Sequence, residues 1–256
     1  MLELLLPPAV GCAEERWGFD ALAERPVGPG IAHAQEAQLV AGASARRRRE
    51  FLLGRACAHR ALDAVGAPDG PIGRGPHGEP CWPDGFTGSI THCAGYCAAA
   101  AAPRAQVAAL GIDAEPNEPI SERLLCRIAE AREREHVLAL LAGGASMPCA
   151  VRFDRLLFCV KEALYKALFA RSGTSLSFAG SQVRFVVEDG GRCGGFEARL
   201  AAWPEPPPRD PLSLAGRWCL QSGVLAAALV LVDACDMKAN LRNPAQRAIA
   251  ARTCGA

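Results

Sequence analysis

The chain has 256 residues, half of them hydrophobic and 21% charged, with a formal net charge of +1. That length and apolar content are enough for a full core in one large domain or two fused small ones. The near-zero charge excludes a global field for nucleic acid or a membrane surface, so any anion site has to be local. No apolar run approaches the roughly 20 residues that span a bilayer.

In chain order, MLELLLPPAVG suggests a first strand rather than a signal peptide, because Glu3 interrupts it and no basic segment precedes it. A cytoplasmic location is therefore expected. Residues 31–45 suit a helix. From Arg46–Arg49 onward, Phe51, Leu52, Ala56, Ala58, Leu62 and Val65 recur at helical intervals, and Gly66 and Pro68 close the segment. Residues 66–88 form a long Gly/Pro loop of the kind that carries function in compact domains. SITHCAGYCAAAAA (89–102) predicts a strand, a turn and a second strand, and VAALGID (107–113) a buried strand. Residues 120–142 look helical, and 152–170 have the strongest helical pattern. Strands are expected at 182–188, 195–202 and 224–232, with the proline-rich 203–211 as a loop between two of them and a polar tail from 237. The second half hints at repeating the first. The twelve cysteines contain no CxxC pair, which favours reduced thiols over zinc ligation or a disulfide scaffold.

Three stretches carry the chemistry. In GIDAEP, Asp113 and Glu115 are two apart and share one side of a strand, although a solvated strand end before Pro116 would look the same. In FCVKEALYKAL, Glu162 lies between Lys161 and Lys166. Glu162 and Lys166 have the i,i+4 spacing of a surface ion pair, but the apolar run 156–160 sets Glu162 near the core, where a carboxylate calls for a cation. In GSITHC, Thr91 and His92 bring a hydroxyl and an imidazole to a strand end, a place where a structural histidine is also common. Arg47, Arg48, Arg55 and Arg74 form a basic set whose forks suit phosphate, although Arg46–Arg49 taken alone would equally suit a solvated face or a nucleic-acid arm. Three carboxylates suit a hard divalent cation, and the basic groups beside them suit a polyphosphate.

Taken together, RRREFLLGRACAHRAL, GRGPHGEPCWPDGFTGSITHCAGY, GIDAEP and LLFCVKEALYKALF resemble the 4′-phosphopantetheinyl transferases. The likeness is to the large single-chain class, in its actinobacterial-type branch, and runs from about residue 46 to 178 and more loosely to 232. The resemblance implies an α+β fold of two similar halves in pseudo-twofold arrangement, with the active site between them. Residues 1–110 would hold the phosphates of coenzyme A, 111–236 would carry the metal site and catalytic helix, and 237–256 would be a tail.

The resemblance further implies Asp113, Glu115 and Glu162 as ligands of Mg2+, or of Mn2+. Glu162, Lys166 and Asp113 would be the catalytic set. Lys161 and Lys166 would approach the pyrophosphate, and Arg47, Arg55, Arg74, Thr91 and His92 would hold coenzyme A. The implied reaction moves phosphopantetheine to a serine of apo acyl or peptidyl carrier proteins and releases 3′,5′-ADP, and a monomer is expected. An inactive relative that only binds coenzyme A or a carrier, and an unrelated Mg2+-dependent phosphohydrolase, are the alternatives. Two positions depart from the family pattern: His77 stands where a lysine is common, and Leu168-Phe169-Ala170 replaces Trp-Phe-Pro.

Overall fold

The computed structural model describes residues 1–17, 33–144, 150–173, 177–188, 190–201 and 213–232. The proline-rich 203–211 and the tail 237–256 lie outside them. The first half contains β1 (Gly11–Arg16), α1 (Ala34–Gln38), α2 (Ala45–Asp63), the short β2 (Gly73–Arg74) and β3 (Pro80–Cys81), β4 (Phe86–Cys93) and β5 (Tyr96–Pro103). The second contains β6 (Ala109–Pro116), α3 (Glu122–Ile128), α4 (Ala131–Gly144), α5 (Phe153–Ser172), β7 (Ser181–Val187), β8 (Cys193–Leu200), β9 (Ser213–Gln221) and β10 (Val224–Leu231). Helices and antiparallel sheets are mixed, as an α+β fold requires.

The strand orders are β1-β5-β4 and β6-β10-β9-β8-β7. In each sheet the strand before the long helix pairs antiparallel with the last strand of its half, β1 with β5 and β6 with β10. A long helix covers each sheet, α2 the first and α5 the second.

β5 separates two layers by strict alternation. Cys97, Ala99 and Ala101 face Cys57, Ala58 and Ala61 of α2. Tyr96, Ala98, Ala100 and Ala102 pack instead with Leu110 and Ile112 of β6 and Ala226 and Ala228 of β10. β10 alternates likewise, with Leu225, Ala227 and Leu229 joining the α5 cluster around Leu156, Val160 and Phe185. Every residue of Tyr96–Ala102 is fully buried, and the run of alanines lets the layers on both sides close in.

The edge strands of the two sheets, β4 and β6, meet at a seam closed by side chains. Ser89 Oγ accepts from Ile112 N–H (3.1 Å), and Thr91 Oγ1 accepts from Ala114 N–H (3.0 Å). Both strands advance by two between these contacts, so they run parallel, with hydroxyls where a ladder would have carbonyls.

Several expectations change. The N-terminal leucines form a 3-10 turn at Leu2–Leu4, and the strand starts only at Gly11; Pro7 and Pro8 lack the N–H groups a ladder needs. The Gly/Pro loop contains the β2–β3 hairpin, with Ile72 buried at its base. The helical stretch 120–142 is two helices, because Ala129 turns extended. β9 was not expected at all. It alternates Leu214, Gly216, Trp218 and Leu220, and it joins β10 through Ser222 and Gly223, both at positive φ. The nine cysteines among the described residues are free.

Candidate active site

Gly111 decides where the site forms. A Cβ there would lie 2.0 Å from the Ala163 carbonyl oxygen and 2.7 Å from the Ala167 nitrogen, so only glycine lets α5 cross β6 this closely. Asp113 and Glu115 follow at two-residue steps on the same face of β6, and the crossing brings Glu162 and Lys166 beside them.

Asp113 is 5% exposed. Its Oδ1 accepts from Thr91 Oγ1 at 3.0 Å and from Lys166 Nζ at 2.7 Å. Among the described residues its Oδ2 is buried with no hydrogen-bond partner. Burial, with the Asp113 and Glu115 charges, pushes the neighbouring Cys159 thiol far up, so that group stays protonated. Glu115 pairs with Arg155 at 3.0 Å, yet burial and then the Asp113 charge push it up to about 7. Glu162, half-buried, is raised by burial and then by Asp113, with Lys166 opposing. Among the described residues nothing hydrogen-bonds it.

An orphaned buried carboxylate oxygen beside two acids that resist ionisation is what a divalent cation would relieve. The donor set therefore fits Mg2+ or Mn2+. The acids are not drawn together as a tight triad. The set of three donor atoms within 4.8 Å of one another that the described residues contain is His33, His59 and Asp69. Lys166 pairs with Asp113 and Arg155 with Glu115 instead.

Lys166 does not pair with Glu162 as its spacing suggested. It donates to Asp113 and to the carbonyls of Ile90 on β4 (3.3 Å) and Ile112 on β6 (3.1 Å), bolting the seam. Burial acts to lower its pKa, but the Asp113 charge and hydrogen bond prevail and hold it raised.

Three expected coenzyme A contacts are corrected: Lys161, Thr91 and Arg55. Lys161 is on another face of α5, 1% exposed, where it donates to the carbonyls of Ile128, Phe178 and Ser181 and to Glu133 at 2.9 Å. It ties α3, α4 and the start of β7 to α5 and is withdrawn from any pyrophosphate. Its neighbour in sequence points away because adjacent helix positions face about 100° apart. Thr91 is buried with its hydroxyl committed to Asp113 and Ala114, so it positions an acid rather than meeting a phosphate.

The basic side has two pairs. Arg47 donates to His92 Nε2 at 2.8 Å. His92 is exposed at its edge, but desolvation and then the Arg47 charge lower its pKa, so the ring is a neutral acceptor at neutral pH. Arg55 is 3% exposed, donates to the Gly73 carbonyl at 2.8 Å and stacks over Phe51, with its Nε unpartnered. Burial and the nearby Arg74 charge lower its pKa, against the pull of Glu36. Arg55 thus holds the strand that carries Arg74, whereas Arg74 itself is exposed over Gly78. His77 meets Phe169 of α5 edge-on at 5.5 Å, linking the hairpin to the second half. Ser89, Arg155 and Gly111 went unnoticed in the sequence; the i,i+7 spacing of Arg155 and Glu162 is the one signal that could have found Arg155.

Residues 35–102 match the 4′-phosphopantetheinyl transferase N-terminal domain, and residues 109–196 match the 4′-phosphopantetheinyl transferase superfamily. The chain belongs to the 4′-phosphopantetheinyl transferase family. It is 41% identical over 198 residues to the 4′-phosphopantetheinyl transferase PptT of Mycobacterium tuberculosis, covering 77% of this chain and 85% of that protein. It is 36% identical to Npt of Nocardia iowensis, covering 90% and 99%, and 39% identical to Svp of Streptomyces mobaraensis, covering 77% of each. These likenesses place it in the actinobacterial branch of the family. The two matched segments meet at the β4–β6 seam where the acids gather. No described helix is long and apolar enough to cross a membrane.

Proposed function

We propose that this transferase moves the 4′-phosphopantetheine group of coenzyme A to a serine of apo acyl or peptidyl carrier proteins, with Mg2+ or Mn2+, releasing 3′,5′-ADP. The observation that carries the reading is Asp113, with one oxygen fixed by Thr91 and Lys166 and the other buried and unpartnered. Residues 1–110 would hold the nucleotide phosphates and 111–236 would supply the acids. The chain would work as a cytoplasmic monomer, and its net charge of +1 gives no basis for nucleic-acid binding.

Asp113, Glu115 and Glu162 would hold the cation. When bound, it offsets negative charge on the pyrophosphate being cleaved. Arg74, with Arg47 and His92, would bind the coenzyme A phosphates. An arriving dianion would draw Arg47 from the ring nitrogen and raise the affinity of His92 for a proton. Glu162, raised by burial and the Asp113 charge and with no hydrogen bond among the described residues, would take the proton from the carrier serine, directly or through one water. The serine oxygen then forms a bond to the β-phosphorus as the bond to the bridging oxygen breaks, and that oxygen leaves with 3′,5′-ADP. Lys166, kept charged by Asp113, faces the charge that develops.

The test is to incubate the protein with coenzyme A, Mg2+ and an apo carrier and to weigh the carrier. A gain of one phosphopantetheine supports the reading. Coenzyme A bound with no carrier gain would indicate a binding relative, and coenzyme A cleaved without transfer would indicate a phosphohydrolase.

A further inference from the structure

Behind the β2–β3 hairpin lies a second group of ligating side chains, unused by the reaction above. His33 precedes α1, His59 lies on α2, and Asp69 lies in the connection that leads to β2. One donor atom from each falls within 4.8 Å of the other two. His33 Nε2 is 3.1 Å from Asp69 Oδ1, and the two imidazole rings meet edge-on with centroids 5.0 Å apart.

Below them sits Glu36, with no exposed surface. Its oxygens accept from the backbone N–H groups of Ile72 (2.8 Å) and His33 (2.9 Å), and both face His59 Nε2, at 2.9 and 3.1 Å. With each Glu36 oxygen already accepting from a backbone N–H, His59 Nε2 is the donor that faces them and Nδ1 keeps the lone pair. A carboxylate that orients an imidazole and leaves its other nitrogen free is the arrangement found behind metal-bound histidines. Two imidazoles with one carboxylate suit Zn2+, whereas Mg2+ prefers oxygens and water.

We propose that His33, His59 and Asp69 form a zinc site, with Glu36 as the orienting acid and water completing the coordination. Asp69 is largely exposed, its side chain 85% accessible, so the ion has an entry path. The connection bearing Asp69 continues through Ile72 and Gly73, held by Glu36 and Arg55, to Arg74. A bound ion would therefore tie the phosphate-side hairpin to α1 and α2. This ion is separate from the one at the acids, and its binding does not depend on the proposed transfer.

The test uses the full chain, stripped by a chelator, with Mg2+ in large excess. Zn2+ is titrated by calorimetry, and Co2+ is added as a spectroscopic probe. One equivalent should bind, and Co2+ should show the intense visible absorption of a low-coordinate nitrogen/oxygen site. Asp69→Asn and His33→Ala should each weaken Zn2+ at least tenfold, and Glu36→Gln should weaken it about 10–100-fold. Asp69→Asn alters an exposed side chain, so it keeps the test informative if a buried variant misfolds. Binding no tighter than millimolar would overturn the proposal. So would binding unchanged in Asp69→Asn and His33→Ala, or binding lost in Glu162→Gln instead.

Discussion

Thr91→Val removes one oxygen from the seam and keeps the shape. The hydroxyl donates to a buried carboxylate and accepts from the buried N–H of Ala114. A hydrogen bond to a charged group contributes about 1.5–3 kcal/mol, and an unpaired buried N–H costs about 1–3 kcal/mol. Because the two effects share one atom, a net loss of about 2–4 kcal/mol is expected. At roughly 2–4 °C per kcal/mol for a chain of this size, the melting temperature should fall by about 4–16 °C. Asp113 would also lose a lateral restraint, so the Mg2+ concentration for half-maximal transfer should rise. Thr91→Ser keeps the hydroxyl and should restore the Mg2+ response, even if the missing methyl costs some stability. Denaturant unfolding and a Mg2+ titration of carrier modification read the two effects separately. A valine variant within about 0.5 kcal/mol of wild type, with an unchanged Mg2+ response, would refute the positioning role.

Glu162→Gln should abolish transfer and leave unfolding nearly unchanged, and wild-type-like turnover would remove Glu162 as base. Arg74→Ala should weaken coenzyme A more than its analogue lacking the 3′-phosphate, by about 1.5–3 kcal/mol for one charge-assisted contact; equal losses by calorimetry would place Arg74 elsewhere. Lys161→Met strands buried Glu133 without its cation, and should cost about 3–5 kcal/mol of stability by denaturant unfolding. Any transfer left in the folded fraction should keep its KM for coenzyme A. Arg123 and Arg127 are exposed one turn apart on α3, and reversing both to Glu should raise KM for an acidic carrier at low salt but not for coenzyme A. An unchanged carrier KM would remove α3 from the docking surface.

The acids were legible because period-two placement in a strand is local: Asp113 and Glu115 share a face whatever lies around them. The long helices were legible from their apolar spacing. Partners were not. Glu162 and Lys166 have the spacing of an ion pair, but Asp113 lies closer to Lys166 once α5 crosses Gly111. Lys161 looks in sequence like the twin of Lys166, and only the packing of α3, α4 and β7 shows that it is structural. Arg55 looks like a phosphate fork, and only the fold shows the Gly73 carbonyl that takes it. β9 was hidden because Gly216 breaks its apolar alternation and a proline-rich stretch precedes it. That glycine is required, since a Cβ there would lie 2.2 Å from the Phe196 ring.

A sheet edge exposes unpaired N–H and C=O groups to which a strand of another chain can add. β4 and β6 are two such edges, and each covers the other, so neither is open to intermolecular pairing. The hydroxyl that closes this junction at Thr91 is also the one that aims Asp113. One atom therefore serves both the covering of a sheet edge and the aim of an acid, so a change made there for either purpose alters the other.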